Sequence, residues 1–418
     1  MRPVARLTPQ DWMQSPAVKA VIAALEADGG EVRFVGGCVR DMLAGRPIKD
    51  IDLATPMAPE TVMQKLEASG LKVVPTGLKH GTVTAVSRGR PFEVTTLRED
   101  VETDGRHAIV TFTDSWEADA ARRDLTINAL SLSPAGDLYD PFGGREDLAA
   151  GRVRFVGSAE TRIAEDYLRL LRFFRFHAYY GRGEPDPEGL AAAEAQAPGL
   201  TRLSAERIRD ELMRLLAAPD PSHLLALMAR HGILAQALPE AAGQDFQPLV
   251  GLIALEGLPR PGVDTAPDPD PLLRLAALLP PDPVVADTLG RRLRLANRER
   301  EDLVTWSALA GDLEPDRGPR ALTRALHRRG PAPVAAGLLL AAARCGTPRA
   351  EVESGLAAIA AWRPMAFPLS GRDALDLGLP AGPEIGRLLG QVEDWWLERD
   401  RQPDRTACRA ELSRLSGG

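Results

Sequence analysis

The sequence predicts an α+β fold, in which a mixed head of short strands and helices precedes a long all-helical remainder. Over the first 150 residues, short segments with the two-residue alternation of strands stand between helical segments. From about Ser158 onward, this strand pattern fades and helical periodicity dominates. Pro259–Pro271 is rich in proline and aspartate, which indicates a linker or long loop. We therefore expect a head over 1–150, a helical neck and body over 151–257 and a helical tail over 258–418.

The individual elements follow from alternation, helical spacing and turn residues. Gly45 and Pro47 end a short helix and separate it from the strand that follows. Strands are predicted at Glu31–Val35, Ile48–Ala54, Val83–Val86, Phe92–Thr96 and around Leu138. Helices are predicted at Val39–Leu43, Pro59–Ser69 and Asp119–Leu130, and beyond the head at Ala159–Tyr180, Ser204–Ala217 and Pro221–Arg230.

The composition restricts the function classes. The chain has 418 residues, of which 44% are apolar, and a net charge of −7, which disfavours nucleic-acid binding unless basic residues form a local patch. Arg291–Arg329, with ten arginines against six acidic residues, is a candidate patch, and a solvated helix face is the alternative.

The three cysteines are widely spaced and lack CxxC spacing, which argues against a disulfide framework or a zinc site. With no long apolar run or signal peptide, we expect a cytoplasmic protein that does not associate with membranes.

Two neighbouring aspartates give the strongest chemical signal. Asp50 and Asp52 fall within the predicted strand Ile48–Ala54, and residues two apart on a strand project from one face. Adjacent carboxylates repel each other unless a cation or a proton lies between them. Carboxylate oxygens suit Mg²⁺, and two such ions can serve the attacking and the leaving oxygen of an in-line displacement. We therefore predict that both aspartates are catalytic and bind magnesium.

A glycine pair precedes these aspartates. Gly36 and Gly37 allow backbone N–H groups to approach a phosphate, and Arg40 is expected in the first turn of the following helix. The sequence contains no GxxxxGK[ST] motif, so an ordinary P-loop is excluded. A polar edge strand and a simple turn would explain each element alone. Their combination favours a nucleoside triphosphate site.

Two further pairs are predicted to recognise the nucleotide. Asp124 and Asn128 are four residues apart on a predicted helix and therefore share a face, where they can hydrogen-bond a ribose hydroxyl. A solvated charged face is the alternative. Asp166 and Arg169 are three residues apart on the next helix. A carboxylate beside a guanidinium fits the amino group and ring nitrogen that cytosine and adenine share, and it rejects uracil and guanine. Glu165 is expected to orient Arg169.

Two arginines continue this helix at three-residue intervals, which turn a helix by about 300° per step. Arg172 is therefore a candidate for triphosphate or base contact. Arg175 falls roughly opposite Asp166 and is a weaker candidate for nucleotide binding, with a surface ion pair as the alternative. The six histidines show no metal-ligand spacing and are assigned no catalytic role.

The first half of the chain resembles the tRNA CCA-adding enzymes and bacterial poly(A) polymerases, which form the class II branch of the polymerase-β-like nucleotidyltransferases. The match runs from Arg33 to about Leu212, with the motifs in the family's order, whereas the second half matches only in being helical. The resembling segments are GGCVRD (Gly36–Asp41), KDIDLAT (Lys49–Thr55), GLKHGTVTAV (Gly77–Val86), FEVTTLRED (Phe92–Asp100), ARRDLTINALSL (Ala121–Leu132), DPFGGREDL (Asp140–Leu148), EDYLRLLRFFRF (Glu165–Phe176) and LSAERIRDEL (Leu203–Leu212).

The resemblance implies a polymerase-β-like head, with Mg²⁺ as cofactor and tRNA, CTP and ATP as partners. It implies that Arg123 contacts the nucleotide, that Asp124 and Asn128 recognise its ribose, and that Asp166 and Arg169 act as a protein template. It suggests Glu93 as a third metal-binding carboxylate, with a structural residue as the alternative.

We therefore expect addition of C and A to the 3′ end of tRNA. The polar segment Asp100–Trp116 stands where this family has a flexible loop that accompanies addition of the terminal A. The alternatives are a poly(A) polymerase, a partial enzyme that adds only CC or only A, and a non-catalytic RNA-binding relative.

Overall fold

The computed structural model describes residues 1–104, 107–263, 269–314 and 319–417. The chain divides into two compact units. The first comprises Met1–Pro219 with Arg230–Ala237, and the second comprises Asp220–Ala229 with Leu238–Gly418. The predicted α+β class is confirmed, because all the strands of the described residues lie in the first unit and the second unit is helical. The boundaries proposed after residues 150 and 257 stay predictions.

The first unit is built on an eight-stranded sheet. Its strands are β1 (Ala5–Arg6), β2 (Arg33–Val35), β3 (Asp52–Thr55), β4 (Lys72–Gly77), β5 (Thr82–Ser87), β6 (Arg90–Thr96), β9 (Ser131–Leu132) and β10 (Asp137–Tyr139), and a separate hairpin consists of β7 (Arg98–Asp104) and β8 (His107–Phe112). The spatial order is β1-β10-β9-β2-β3-β6-β5-β4. β3 and β6 are parallel, and this pairing sets Asp52 beside Glu93.

Helices cover this sheet and extend beyond it. The first unit contains α1 (Asp11–Gln14), α2 (Pro16–Glu26), α3 (Gly37–Leu43), α4 (Pro59–Ala68), α5 (Trp116–Ala121), α6 (Gly144–Ala150), α7 (Ala159–Glu165), α8 (Leu168–Tyr180), α9 (Pro187–Gln196), α10 (Ala205–Leu216) and α12 (Ile233–Ala237). Leu25, Phe34, Leu53 and Phe92 are almost fully buried in one core cluster. Burial of such side chains is the main stabilising contribution to a domain of this kind.

The second unit contains the remaining helices, many of which begin at a proline. They are α11 (Ser222–Arg230), α13 (Gln247–Leu255), α14 (Pro271–Ala277), α15 (Pro283–Arg292), α16 (Asn297–Asp312), α17 (Pro319–Arg329), α18 (Pro331–Cys345), α19 (Arg349–Ala361), α20 (Gly371–Leu375), α21 (Pro383–Leu397) and α22 (Arg405–Leu415). Proline is favoured at this position because its fixed φ and missing N–H fit the first helical turn. Of the helices in the described part of the chain, none has both the length and the apolar character required to cross a bilayer.

Three predicted elements were wrong in extent. The strand expected at Ile48–Ala54 begins only at Asp52, so Asp50 lies in the irregular segment before it. The helix expected at Asp119–Leu130 ends at Ala121. There Leu125 instead pairs with Phe155 in an isolated β-bridge, a contact between residues distant in sequence that helical spacing does not reveal. The helix expected at Ala159–Tyr180 is broken, because Asp166 is extended with φ −155° and ψ 106°.

Two segments expected to be irregular fall partly outside the described residues. Asp100–Trp116 contains parts of β7 and β8, in which Arg98 pairs with Phe112 and Asp104 with His107. Residues 105 and 106 lie outside the description. In Pro259–Pro271, residues 259–263 and 269–270 form neither helix nor strand, as expected for a linker, and residues 264–268 are not described.

Candidate active site

A polar cavity of about 470 Å³ opens in the first unit. Seven arginines and three aspartates line it, so the wall carries excess positive charge suited to a polyanion. Ten of the thirteen predicted site residues line this cavity: Gly36, Gly37, Arg40, Asp52, Arg123, Asp124, Asn128, Asp166, Arg169 and Arg172. Asp50, Glu93 and Arg175 do not belong to its wall. The cavity also includes Arg98, Arg122, Leu168, Phe176 and Arg207, which were not singled out.

The glycine bend connects β2 to α3. Gly36 has φ 65° and ψ −121°, a conformation that side-chain-bearing residues rarely adopt. A Cβ atom at this position would also lie 2.9 Å from Nη1 of Arg123. The bend adjoins β3, because the Cys38 thiol lies 3.8 Å from the carbonyl oxygen of Asp52 and donates a weak hydrogen bond to it. Gly36 therefore allows Arg123 to approach the backbone beside Asp52.

The acidic residues of the site do not share one strand face as predicted. Asp52 is half-buried on β3 and Glu93 is exposed on the neighbouring β6, whereas Asp50 is exposed before β3 begins. Burial raises the pKa of the Asp52 carboxyl to about 6, the charges of Glu93 and Asp50 add to this increase, and Arg123 opposes it. Electrostatic repulsion thus couples Asp52 to Glu93 and to Asp50, although the argument that placed Asp50 and Asp52 on one strand was wrong.

This carboxylate group fits a hard divalent cation by its donor chemistry. All three residues offer oxygen ligands, and the raised pKa of Asp52 marks a negative charge that protein groups only partly offset. Among the described residues, no group of three or more His, Cys, Asp or Glu side chains is already assembled around a metal-sized site. A bound ion would therefore take some of its oxygen ligands from water or a nucleotide.

Asp124 and Asn128 lie in contact at the cavity wall, although they do not share an α-helix. Nδ2 of Asn128 donates to Oδ1 of Asp124 at 2.9 Å, and the Leu125 N–H donates to the same oxygen at 2.9 Å. Arg172 donates its Nε–H to Oδ2 at 2.7 Å, and its Nη2 lies 2.6 Å from the same oxygen in an ion pair. A carboxylate has about four acceptor positions, so these three hydrogen bonds use most of the acceptor capacity of Asp124.

The groups around Asp124 stabilise the ionised form of its carboxyl. Burial alone would raise the pKa of its carboxyl, but Arg172, Asn128 and the Leu125 N–H more than offset burial and lower the pKa to about 2. Asp124 is therefore ionised at neutral pH and anchors Arg172. One acceptor position, on Oδ2 beside Arg172, remains for a ribose hydroxyl.

Arg40 also contacts the hydrogen-bonded pair of Asp124 and Asn128. Its Nη1 donates to Oδ1 of Asn128 at 2.6 Å, and its Nε donates to Asp41 at 3.0 Å. Its guanidinium also stacks on the rings of Phe176 and Tyr180, at 4.9 Å and 4.5 Å from their centroids. Arg40 lines the cavity as predicted, but these contacts give it a bracing role between α3 and α8.

Asp166 lies in the break between α7 and α8, Arg169 lies in the first turn of α8, and both line the cavity. Nη1 of Arg169 donates to Glu165 at 2.6 Å and to the Arg162 carbonyl at 3.3 Å, and Nη2 donates to the Arg122 carbonyl at 3.3 Å. The pair does not share one continuous helix face as predicted. The broken backbone nevertheless brings both side chains to the same wall.

Arg175 is placed differently from the other predicted residues. Its Nε donates to the buried carboxylate of Glu211 on α10, and its guanidinium lies 4.2 Å from the ring centroid of Phe176. Arg175 therefore forms an ion pair, which was the alternative to nucleotide binding, although this pair is buried and not on the surface. Arg98 and Arg207, which the sequence reasoning missed, stand in the FEVTTLRED and LSAERIRDEL segments. Their position in these family-like segments is the sequence feature that could have identified them as site residues.

A second cavity, of about 640 Å³, lies in the second unit. Its wall is mainly leucine, proline and alanine, and its charged groups are paired: Arg260 with Asp270, Glu256 with Arg274 and Glu353 with Arg349. It contains none of the predicted site residues. We assign the chemistry to the cavity of the first unit.

Comparison with protein families supports this assignment. Residues 32–154 match the family model of the Poly A polymerase head domain, and residues 184–244 match the probable RNA and SrmB-binding site of polymerase A. The mitochondrial CCA tRNA nucleotidyltransferase 1 of Danio rerio is 38% identical, over 92% of this chain and 87% of that protein. The CCA-adding enzyme of Geobacillus stearothermophilus is 42% identical, over 54% of this chain and 55% of that protein.

The fold also matches solved structures. The crystal structure of the Bacillus stearothermophilus CCA-adding enzyme in complex with CTP superposes with a TM-score of 0.74 at 30% identity, and the match covers 96% of this chain and 98% of that one. The likeness therefore extends from the head through the helical remainder.

Proposed function

The chain belongs to the CCA tRNA nucleotidyltransferase family, and we propose that the arginine-rich cavity of its first unit is the active site. The chain is a tRNA nucleotidyltransferase that adds C and A nucleotides to the 3′ end of tRNA. It transfers a nucleoside monophosphate from CTP or ATP and releases pyrophosphate, and its partners are tRNA, CTP and ATP. The observation that carries this conclusion is the sequence identity over nearly the whole chain, which includes the helical tail.

We propose that Asp50 and Asp52 hold Mg²⁺, with Glu93 as a third carboxylate. Members of this family generally use divalent metal ions. The charge coupling of Asp52 with Glu93 and Asp50 supports this assignment, because a divalent cation stabilises a carboxylate that its acidic neighbours repel. When bound, the metal activates the attacking hydroxyl and neutralises charge on the phosphates.

Two arginines of the cavity, Arg123 and Arg172, are assigned to the nucleotide. Arg123 lies against the glycine bend beside Asp52, where Gly36 and Gly37 leave room for phosphate oxygens. Arg172 is presented by Asp124 with a fixed side chain, which suits contact with the triphosphate or the base. Arg40, Asp124 and Asn128 contribute by bracing this wall, and we propose that they shape the ribose pocket. We assign Arg175 to the support of α8.

Base selection is assigned to Asp166 and Arg169. Of the five N–H groups of the Arg169 guanidinium, Nε–H and one Nη2–H have no acceptor among the residues the structure describes. These donors suit the ring nitrogen of cytosine or adenine, and the Asp166 carboxylate suits the exocyclic amino group. Uracil and guanine present the opposite pattern and would leave polar groups unpaired.

We also propose a cytoplasmic location and tRNA binding by the basic segment Arg291–Arg329. None of the three cysteines, all of which the structure describes, forms a disulfide, which suits a reducing compartment. Arg298 and Arg320 contribute to the basic charge of this segment. Contacts of this kind with phosphate would weaken as salt rises.

The function is tested with tRNA transcripts that end before the CCA sequence. The transcripts are incubated with Mg²⁺ and CTP, ATP or both, and the products are resolved at single-nucleotide length. We expect two additions with CTP alone and three with both nucleotides, after which extension stops. A long A tail would identify a poly(A) polymerase, and a product ending at CC in the presence of ATP would identify a partial enzyme. Intact tRNA binding without incorporation would identify a non-catalytic relative.

A further inference from the structure

Arg207 is an arginine of the cavity wall that reaches the base-selecting pair from a different helix. Its Nη2 donates to Oδ2 of Asp166 at 2.7 Å. Arg207 lies on α10, 41 residues from Asp166 in sequence. The two side chains are 27% and 23% exposed, so solvent screens this contact only in part.

The backbone around Asp166 explains why its side chain requires external support. Asp166 is the extended residue between α7 and α8, so helix packing does not fix its side chain. Its Oδ1 accepts the Leu168 N–H at 3.1 Å, which positions one oxygen locally. Arg207 holds the other oxygen. The two bonds together fix the plane of the carboxylate.

A second contact, made by residues shortly before Arg207 in sequence, supports the break between α7 and α8. The Tyr167 ring packs against Gly199, where an added Cβ atom would lie only 2.0 Å from the ring. Arg202 places its guanidinium 5.4 Å from the Tyr167 ring centroid. Residues 197–207 therefore support both members of the break, with Tyr167 held by packing and Asp166 held by a charge-assisted hydrogen bond.

The bond to Arg207 leaves Asp166 able to bind a nucleotide. Each carboxylate oxygen has two acceptor positions, and each Asp166 oxygen uses one of them in the contacts above. The carboxylate can thus accept an exocyclic amino group while both existing bonds persist.

We propose that Arg207 is a specificity-determining positioning residue. It fixes the Asp166 carboxylate at the orientation that distinguishes cytosine and adenine from uracil and guanine. This inference rests on the proposed role of Asp166 and Arg169 in base selection. Arg207 acts through Asp166, so its loss should affect the choice of base more than the transfer of the nucleotide.

The test compares Arg207→Met and Arg207→Lys with the unchanged enzyme. For each protein, kcat and KM are measured separately for CTP, ATP, UTP and GTP on matched tRNA ends. With Arg207→Met, we expect the preference for CTP over UTP to fall by about 10- to 100-fold, the order expected when a reacting group loses its fixed orientation. Arg207→Lys keeps a charged donor and should restore most of the preference.

Arg209→Met is the matched control. Arg209 lies two residues further along α10 and pairs with Asp210, which is 54% exposed. This variant should keep the nucleotide preference of the unchanged enzyme.

The possible outcomes separate this inference from the proposed function. An equal loss of kcat for all four nucleotides in Arg207→Met, with preference intact, would overturn the inference in favour of a purely structural role. Unchanged preference and unchanged kcat would overturn it as well. Failure of the unchanged enzyme to add C and A would instead contradict the proposed function. Should Arg207→Met not fold, Arg207→Lys and Arg207→Gln provide the comparison.

Discussion

Arg172 donates its Nε–H to Oδ2 of Asp124 at 2.7 Å, and its Nη2 lies 2.6 Å from the same oxygen in an ion pair. The contact joins α8 to the loop after α5 across 48 residues of sequence. Because Asp124 also accepts from Asn128 and from the Leu125 N–H, it organises one wall of the cavity. A residue expected to contact ribose thus acts as an anchor for the groups around it.

The Asp124 anchor predicts a specific pH dependence of stability. The folded-state pKa of Asp124 is lowered to about 2 from an ordinary value of 3.8, so its contribution is fully present above about pH 4. That contribution is lost as the pH falls through 2. At neutral pH we expect Asp124→Asn to lower the free energy of unfolding by about 2 kcal/mol. The free energy of unfolding is measured with denaturant from pH 2 to pH 7. The difference in this free energy between the variant and the unchanged protein should become smaller as the pH approaches 2. A difference that does not vary with pH would contradict the role assigned to this charge.

The pairing of Glu165 with Arg169 predicts an effect on base choice. Glu165 accepts from Nη1 of Arg169 at 2.6 Å and thereby fixes the guanidinium that faces the base. Glu165→Gln should weaken this orientation and lower the discrimination between CTP and UTP by about 10-fold. The measurement is single-nucleotide incorporation with each nucleotide in competition. Glu160→Gln, at an exposed position of the same helix, should leave discrimination unchanged. Equal behaviour of the two variants would refute the orienting role.

The glycine bend between β2 and α3 predicts that substitution of Gly36 weakens nucleotide binding in addition to lowering stability through backbone strain. Gly36→Ala places a methyl group at positive φ and 2.9 Å from Nη1 of Arg123. We expect lower incorporation and a stability cost of about 1 to 3 kcal/mol. Gly45→Ala is the control, because Gly45 also has positive φ (66°) but no atom lies within 4 Å of the added group. Both variants should lose stability, whereas only Gly36→Ala should raise KM for the nucleotide. A similar change of KM in both would argue against the contact with Arg123.

A buried ion pair in the second unit predicts a large stability effect. Arg274 is 1% exposed and donates to both oxygens of Glu256, at 2.6 Å and 2.7 Å. Arg274→Met leaves the Glu256 charge partly buried without this partner, which typically costs about 3 to 5 kcal/mol. Arg291→Met, which breaks an exposed pair with Asp287, should change stability by less than about 0.5 kcal/mol. Chemical unfolding of both variants tests the contrast. Comparable losses would contradict the burial argument.

The sequence predicted the fold class and most of the cavity wall because these depend on local signals. Strand alternation and helical periodicity identified the α+β head and the helical remainder. Gly36, Asp52, Asp124 and Asp166 all lie at the cavity, as their motifs indicated.

The errors came from contacts between residues distant in sequence. The β-bridge of Leu125 with Phe155 keeps the segment after Ala121 from continuing as a helix. The extended Asp166 interrupts a pattern that otherwise reads as one helix. Arg175 had the spacing of a nucleotide-binding residue, but its partner Glu211 lies on another helix, and helical periodicity does not reveal such a pairing.

The central claim is that the carboxylates of Asp50 and Asp52 carry the nucleotidyl transfer. It is tested most directly by single-turnover transfer of CMP to tRNA with Mg²⁺, comparing Asp50→Asn and Asp52→Asn with Asp11→Asn, which changes an exposed aspartate of the same unit. We predict that the first two variants remain folded and bind tRNA but lose at least about 1000-fold in rate, while Asp11→Asn retains the rate of the unchanged enzyme. Normal transfer by both Asp50→Asn and Asp52→Asn would contradict the account.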